Sequence, residues 1–196
     1  MTETIPNNHR RTERSKHAIL DATRELLSEG GVRALTVEAV AARSGVAKTT
    51  IYRRWRDKWH LALDAVVIDI IPQFAYPADV GDTRKELIVF VDSVVDLLAS
   101  HLYGPSLQGL VSELSTNPQL ARLYREQVVE PRRETLAPII ERGITRGDLR
   151  PGIDVRTVHE FLVGPIFYRL LFSGGPLDSG MGTRLVDGIL DGLRPD

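Results

Sequence analysis

The chain of 196 residues has no cysteine, which excludes disulfide staples and thiolate metal sites, so its stability must come from an apolar core. It also lacks any apolar run long enough for a signal peptide or a membrane span, and the expected location is the cytoplasm, with no membrane partner. Catalytic signatures are missing as well. The five histidines, His9, His17, His60, His101 and His159, form no HExxH or ExxH pair, and the adjacent His159 and Glu160 project in different directions from a helix. There is no phosphate-binding or dinucleotide-binding glycine loop and no GxSxG elbow. Neither a catalytic residue, a metal site nor a cofactor is expected. Strand patterning is absent too, which leaves an all-α fold class.

What the chain does have is enough apolar residue, 42%, for a substantial core, and a segregated charge. Residues 1–60 hold 12 Lys and Arg against 7 Asp and Glu, a balance of +5, while residues 61–196 carry −6. Such a distribution turns the front of the molecule toward a polyanion.

The basic third contains TVEAVAARSGVAKTTIYRRWRDK, residues 36–58. Val37, Val40 and Ala41 recur at helical spacing behind Thr36, whose hydroxyl suits an N-cap, and Glu38 suits the positive end of the helix. Gly45 can take the positive φ of a tight turn, after which a second helix runs from about Ala47 to Trp55. On it Ile51 and Trp55 face inward, leaving Lys48, Thr49, Tyr52 and Arg53 outward. This helix-turn-helix pattern suits the major groove of double-stranded DNA, with Lys and Arg for phosphates or guanine edges and hydroxyls for phosphates.

GVAKTTIYRRWRDKWHLAL closely resembles the tetracycline-repressor (TetR) family, whose DNA-binding segment reads Gly-x-Ser-x-x-x-Leu-Tyr-x-x-Phe-x-x-Lys-x-x-Leu. Here those positions hold Gly45, Ala47, Ile51, Tyr52, Trp55, Lys58 and Leu61, with alanine where many members have serine and Trp55 where they have phenylalanine. The close resemblance covers roughly residues 15 to 65. With the outward face of the second helix it points to a DNA-contacting set of Thr36, Ala47, Lys48, Thr49, Thr50, Tyr52, Arg53 and Lys58, although Ala47 removes one hydroxyl contact, and Arg14 joins the set from the basic arm, where Arg10, Arg11 and Arg14 can reach phosphates or a narrow minor groove.

Along the rest of the chain, residues 1–14 read as a flexible basic arm, 15–60 as the helix-turn-helix domain and 61–196 as a larger helical domain. A first helix runs from Ser15 to Gly30-Gly31. Asp57 caps a fourth, to Ile71, and a connector spans 73–81. Helices follow over Thr83 to Ser100, from Gly104-Pro105, from Asn117-Pro118 to Arg146 with bends at Pro131 and Pro138, over 155–173 behind Asp154, and over about 182–193.

The last two helices are more apolar than a capping position needs. Val158, Phe161, Leu162, Pro165, Ile166 and Leu170 lie around one and Leu185, Val186, Ile189 and Leu190 along the other. Burial within the chain accounts for some of these, and the family resemblance implies a homodimer interface for the set. It also implies a small-molecule effector in the larger domain, where Phe74, Phe90, His101, Tyr103, Leu107, Tyr124, Phe167 and Tyr168 are the candidate lining. The function this supports is a ligand-responsive homodimeric repressor released from a palindromic operator by its effector. The alternatives are an activator, a helix-turn-helix protein acting mainly through protein partners, or an α-helical enzyme.

Overall fold

The computed structural model describes residues 7–68, 77–101 and 103–193, with all side chains except the first five and the last of the opening span. The described residues form ten α-helices and no strand. They are α1 (Asn7–Ala34), α2 (Val37–Ser44), α3 (Lys48–Arg54), α4 (Lys58–Leu63), α5 (Thr83–Ala99), α6 (Gly104–Ser112), α7 (Pro118–Tyr124), α8 (Glu130–Arg146), α9 (Val155–Tyr168) and α10 (Met181–Leu190). The all-α expectation holds, and most helix starts fall at the residues that announced them. Thr36, Asp57, Asp82 and Asp154 each accept backbone N–H bonds as N-caps.

Three helices change register to a π-helical turn: α4 at Asp64–Ile68, α7 at Arg125–Val129 and α9 at Arg169–Ser173. The second of these precedes Pro131, which has no N–H to donate. Pro131 falls in the first turn of α8 and Pro138 inside it, so neither proline interrupts that helix. One expectation is corrected at the N-terminus, where the chain is already helical from Asn7, so 7–14 are not an irregular arm. Regular helix breaks at Gly31 (φ 61°, ψ −159°), as Gly30-Gly31 suggested, and a short turn completes α1. The expected end of the fourth helix at Ile71, and connector residues 73–76, lie outside the described residues.

The chain divides into two compact units, Met1–Ile70 with Pro105–Ala121, and Ile71–Gly104 with Arg122–Asp196. In the first, α1 buries Ile19, Leu20, Leu26 and Leu27, and the later helices contribute Val40, Ile51, Trp55 and Leu61. Arg24 is buried among them, and its Nη1 donates to the Ala65 carbonyl at 2.6 Å while its guanidinium also pairs with Asp21. Segment 105–121 joins this unit through buried Leu107, Leu110 and Leu120 and through Ser106 Oγ, which donates to the Arg24 carbonyl at 2.9 Å.

The second unit is organised on α5, which packs against α8, α9 and α10 with Leu87, Phe90, Val91, Val95 and Leu98 buried. Gly143 permits close approach of α8, since a Cβ there would come within 3.0 Å of the Thr83 and Leu149 side chains. Beside it the Glu86 carboxylate, fully buried, accepts from Arg142 at 2.5 and 3.1 Å, from Arg146 at 3.1 Å and from the Val80 N–H at 3.2 Å. Burial alone would push this carboxyl up, but the hydrogen bonds from the arginines and Val80 outweigh it and hold it below the ordinary carboxylate range.

A depressed carboxyl contributes stability that is present above its unfolded pKa, about 4.3, and is lost as pH falls through the folded value. Glu86→Gln, which keeps the shape and removes the charge, should therefore destabilise the protein by roughly 2–4 kcal/mol at pH 7. Urea unfolding repeated toward pH 3.5 should show the gap between variant and wild type closing, and a gap independent of pH would remove the charge from the account.

Candidate nucleic-acid interface

The helix-turn-helix is built as its residues suggest. Thr36 Oγ1 accepts from the Ala39 N–H at 3.1 Å, α2 ends at Gly45 with φ 67°, and Ala47 enters α3 with extended backbone. Ala47 offers no side-chain acceptor, so the first amides of α3 go without the cap that a serine there would supply. Ile51 and Trp55 point inward, 1% and 6% exposed. Trp55 Nε1 donates to Asp64 Oδ2 at 2.8 Å, which ties the end of α3 to the helix that follows.

Outward from that anchor stand Lys48, Thr49, Tyr52 and Arg53, all exposed, with Tyr52 at 56%. Ala47 and Thr36 are exposed beside them, Thr50 is half-buried, and Arg14 is exposed on α1. Lys48 Nζ forms an ion pair of 2.8 Å with Glu38 Oε1 on α2. Arg54 donates to the Thr12 carbonyl at 3.2 Å, and a cleft of 380 Å³ lies between the start of α1 and the turn, lined by Thr12, Ser15, Ala47, Thr50, Arg53 and Arg54 among others. Lys58 is half-buried with its ammonium 4.6 Å from the centre of the Trp59 ring.

Asp57 does more than cap α4. Its Oδ1 accepts from the Trp59 and His60 N–H groups at 2.9 and 3.1 Å and lies 2.9 Å from His60 Nδ1, while Oδ2 accepts from Gln119 Nε2 at 3.0 Å. Burial pushes its carboxyl up, but bonds from His60 and Trp59 leave it lowered on balance. Arg54, Thr12 and Gln119 were not among the residues singled out from sequence, and Glu38 was read only as a first-turn acid, not as the partner of Lys48. Each acts through a partner 10 to 62 positions away, and no spacing rule for a single helix connects such pairs.

The residues expected to line an effector site are distributed differently. Phe74 lies outside the described residues. Phe90 is fully buried in the second unit, with the Arg132 guanidinium 5.7 Å from its ring and His159 edge-on at 6.2 Å. Tyr124 is buried in that unit, where burial pushes its phenol up; Tyr103 and Phe167 are half-buried, and His101 and Tyr168 are exposed. Leu107 is buried in the first unit. His159 is buried, and desolvation, with the positive charges of Arg133 and Arg132, depresses its imidazole to about 4, so it is neutral at pH 7. A groove of 350 Å³ in the second unit is lined instead by Pro77, Pro131, Glu134, Thr135, Pro138 and Arg142. Among the described residues no group of three His, Asp or Glu is placed to hold a metal, and no single helix is long and apolar enough to cross a membrane.

Of the apolar residues on the last two helices, Val158, Leu162, Ile166, Val186 and Leu190 are buried within their own chain. Pro165, Leu170, Leu185 and Ile189 are half-buried. Phe161 stands 59% exposed, and Tyr168 and Phe172, stacked at 6.0 Å, are 61% and 78% exposed. Phe161, Pro165, Tyr168 and Phe172 follow one another at helical spacing and form a single outward stripe.

Comparison with known proteins agrees with this architecture. Residues 19–65 match the family model "Bacterial regulatory proteins, tetR family", and residues 77–189 match "Tetracyclin repressor-like, C-terminal domain". The chain is 30% identical over 184 residues to the HTH-type transcriptional regulator YdeS of Bacillus subtilis, covering 94% of this chain and 92% of that protein. It is 28% identical over 183 residues to the DNA-binding transcriptional repressor TetR of Mycobacteroides abscessus, covering 92% and 94%. The crystal structure of a TetR family transcription regulator superposes with a TM-score of 0.72 at 34% identity, covering 92% of this chain and 99% of that one. The transcriptional regulator FadR of Bacillus subtilis, solved with stearoyl-CoA, shares the fold with a TM-score of 0.72 at 21% identity, covering 91% and 99%. With a helix-turn-helix whose outer face is polar and basic, and with both halves of the chain matched, this protein belongs to the TetR family of DNA-binding transcriptional regulators.

Proposed function

We propose that the protein is a cytoplasmic homodimeric repressor that occupies a palindromic operator and is released by a small-molecule effector. The observation that carries this reading is the outer face of α3. Its inner side is spent on Ile51 and Trp55, so Lys48, Thr49, Tyr52 and Arg53 have no packing role and are available to DNA. Seven residues make a small reading surface, and two copies related by a two-fold axis supply what one lacks. The stripe Phe161, Pro165, Tyr168 and Phe172 supports such an axis, since a regulator gains nothing from leaving those rings in water. Occupying promoter DNA represses without any further partner surface.

Effector binding belongs to the second unit in this reading. Phe90, Tyr103, Tyr124 and Phe167 lie in that unit, with neutral His159 and the Arg132 guanidinium beside the Phe90 ring, and an effector would have to open space among them. FadR, a relative in fold, has been solved in complex with stearoyl-CoA. The effector of this chain is proposed only as a small molecule.

Binding energy on the DNA side should divide by residue. Lys58→Ala and Tyr52→Phe should weaken operator and unrelated DNA alike, the first also reducing the salt slope by about 0.9. Lys48→Ala should instead relax base preference at one operator position by roughly tenfold. Gel retardation of a promoter fragment and its point variants measures both, and unchanged preference in Lys48→Ala would take that residue off the reading face.

The dimer should come apart when charge enters the exposed stripe. Phe161→Glu with Phe172→Glu should sediment as a monomer that keeps its helical content and binds operator DNA at least tenfold more weakly, because each recognition helix then acts alone. Sedimentation as a dimer would place the interface elsewhere. Ile166 is unsuitable for this purpose, since a charge there damages the interior of its own chain.

Release by an effector obeys linkage: a molecule that lowers operator affinity by some factor must itself bind the operator complex more weakly by the same factor. Trp55 and Trp59 at the end of α3 and start of α4 give a fluorescence signal for titrating free and DNA-bound protein. Equal affinity for the two forms would exclude allosteric release.

A further inference from the structure

The placement of Lys48 is unfavourable for its own helix. It is the first residue of α3, where the aligned peptide dipoles leave positive charge, and α3 has no acidic residue in its first turn and no side-chain cap. A cation at that position does not stabilise the helix, so its presence calls for another reason. Glu38, in the first turn of α2, offsets it from across the turn. Its Oε1 lies 2.8 Å from Lys48 Nζ, and both side chains are more than half exposed, so neither is fixed by burial. The pair lowers the Glu38 carboxyl and raises the Lys48 ammonium, mainly through the hydrogen bond between them.

We propose that Glu38 is a specificity-determining residue that withholds Lys48 from DNA phosphates while leaving it able to read a base. This rests on the reading of the outer face of α3 as the DNA-reading surface. An ammonium has three N–H donors, of which the ion pair takes one. The two that remain suffice for a guanine edge, which offers O6 and N7 as acceptors, so contact with the correct base does not require the pair to break. Unrelated DNA offers Lys48 little but phosphate. A phosphate is held by net charge, and the Glu38 carboxylate both cancels that of the ammonium and repels the phosphate, whereas O6 and N7 are neutral acceptors that the free N–H groups still reach. The penalty falls on non-specific complexes and leaves specific ones nearly untouched. An exposed pair is weak in the free protein, yet a weak bias applied only to the wrong complexes is what discrimination requires.

The test is Glu38→Gln, which keeps the side-chain length and an acceptor oxygen but removes the charge. Two duplexes of equal length serve as probes: a promoter fragment retained by the wild-type protein at physiological salt, and a scrambled sequence of the same composition. Glu38→Gln should bind the scrambled duplex two- to fivefold more tightly, with the slope of log affinity against log salt steeper by about 0.9 per protomer, and should change promoter affinity much less. The ratio of the two affinities falls accordingly. In Glu38→Gln with Lys48→Ala the gain on scrambled DNA should vanish relative to Lys48→Ala alone. An unchanged ratio in Glu38→Gln, with Lys48→Ala still impaired on the promoter, overturns the role of Glu38 and leaves the reading face intact. If Lys48→Ala binds both duplexes as the wild type does, the reading face and this inference fall together.

Discussion

A helix of seven residues is too short to hold its shape in water, so α3 exists only because its inner side is packed. Two side chains provide that packing. Ile51 and Trp55 lie one turn apart and leave almost no surface exposed, and the indole N–H is fixed to Asp64 at 2.8 Å. Trp55 is also where the helix stops, in extended backbone with φ −120°, which lets Asp57 open α4 two residues later. Because rotation about the α3 axis is fixed by these two anchors, the identity of the outward residues is fixed as well. What α3 can read follows from what it must bury.

The same logic explains which parts were legible in the sequence. Helix starts were readable because caps are local: Thr36, Asp57 and Asp154 accept N–H groups two or three residues ahead. The outward and inward sides of α3 were readable because the helical period fixes them once Ile51 and Trp55 are recognised as core. Membership of the first unit was not. Segment 105–121 joins it through Ser106 bonding to the Arg24 carbonyl 82 positions back and through Gln119 bonding to Asp57, and neither pairing leaves a periodic trace. The apolar residues of the last two helices show the limit of patterning from the other side. Ile166 and Phe161 are both large, apolar and on α9, yet one is fully buried in its own chain and the other 59% exposed. The stripe found in the sequence is wider than the surface a single neighbour covers, and periodicity alone does not say which edge of it is left over.

The buried polar groups are consistent with that account. Arg24 and Glu86 each occupy a core position that an apolar residue would fill more simply; Arg24 is held by the Ala65 carbonyl and by Asp21 of its own helix, and Glu86 by two arginines of α8. A buried charge with its hydrogen bonds made contributes little net stability, but it tolerates few alternative arrangements of the helices around it. In the second unit Glu86 fixes α5 against α8 through Arg142 and Arg146, and Asp79 reaches the same two guanidinium groups from the connector. The connector, read from sequence only as turn-rich, is therefore held by charge at its end.

Charge segregation was the coarsest signal in the sequence, and its meaning changes once partners are known. The first sixty residues carry an excess of +5, yet several of those cations are occupied inside the protein. Arg24 is buried, Arg43 pairs with Glu29 at 2.7 Å, Lys48 pairs with Glu38, and Arg54 bonds to the Thr12 carbonyl. Arg14, Arg53 and Arg56 are exposed without an intramolecular partner among the described residues. Only cations of this second kind bring a charge to a phosphate that no neighbouring group of the protein already shares, and phosphate neutralisation is the sequence-independent part of DNA binding. The pairing within the domain, and not its net charge alone, therefore determines how many of its cations carry uncompensated charge, since Glu38 and Glu29 each hold a cation beside them.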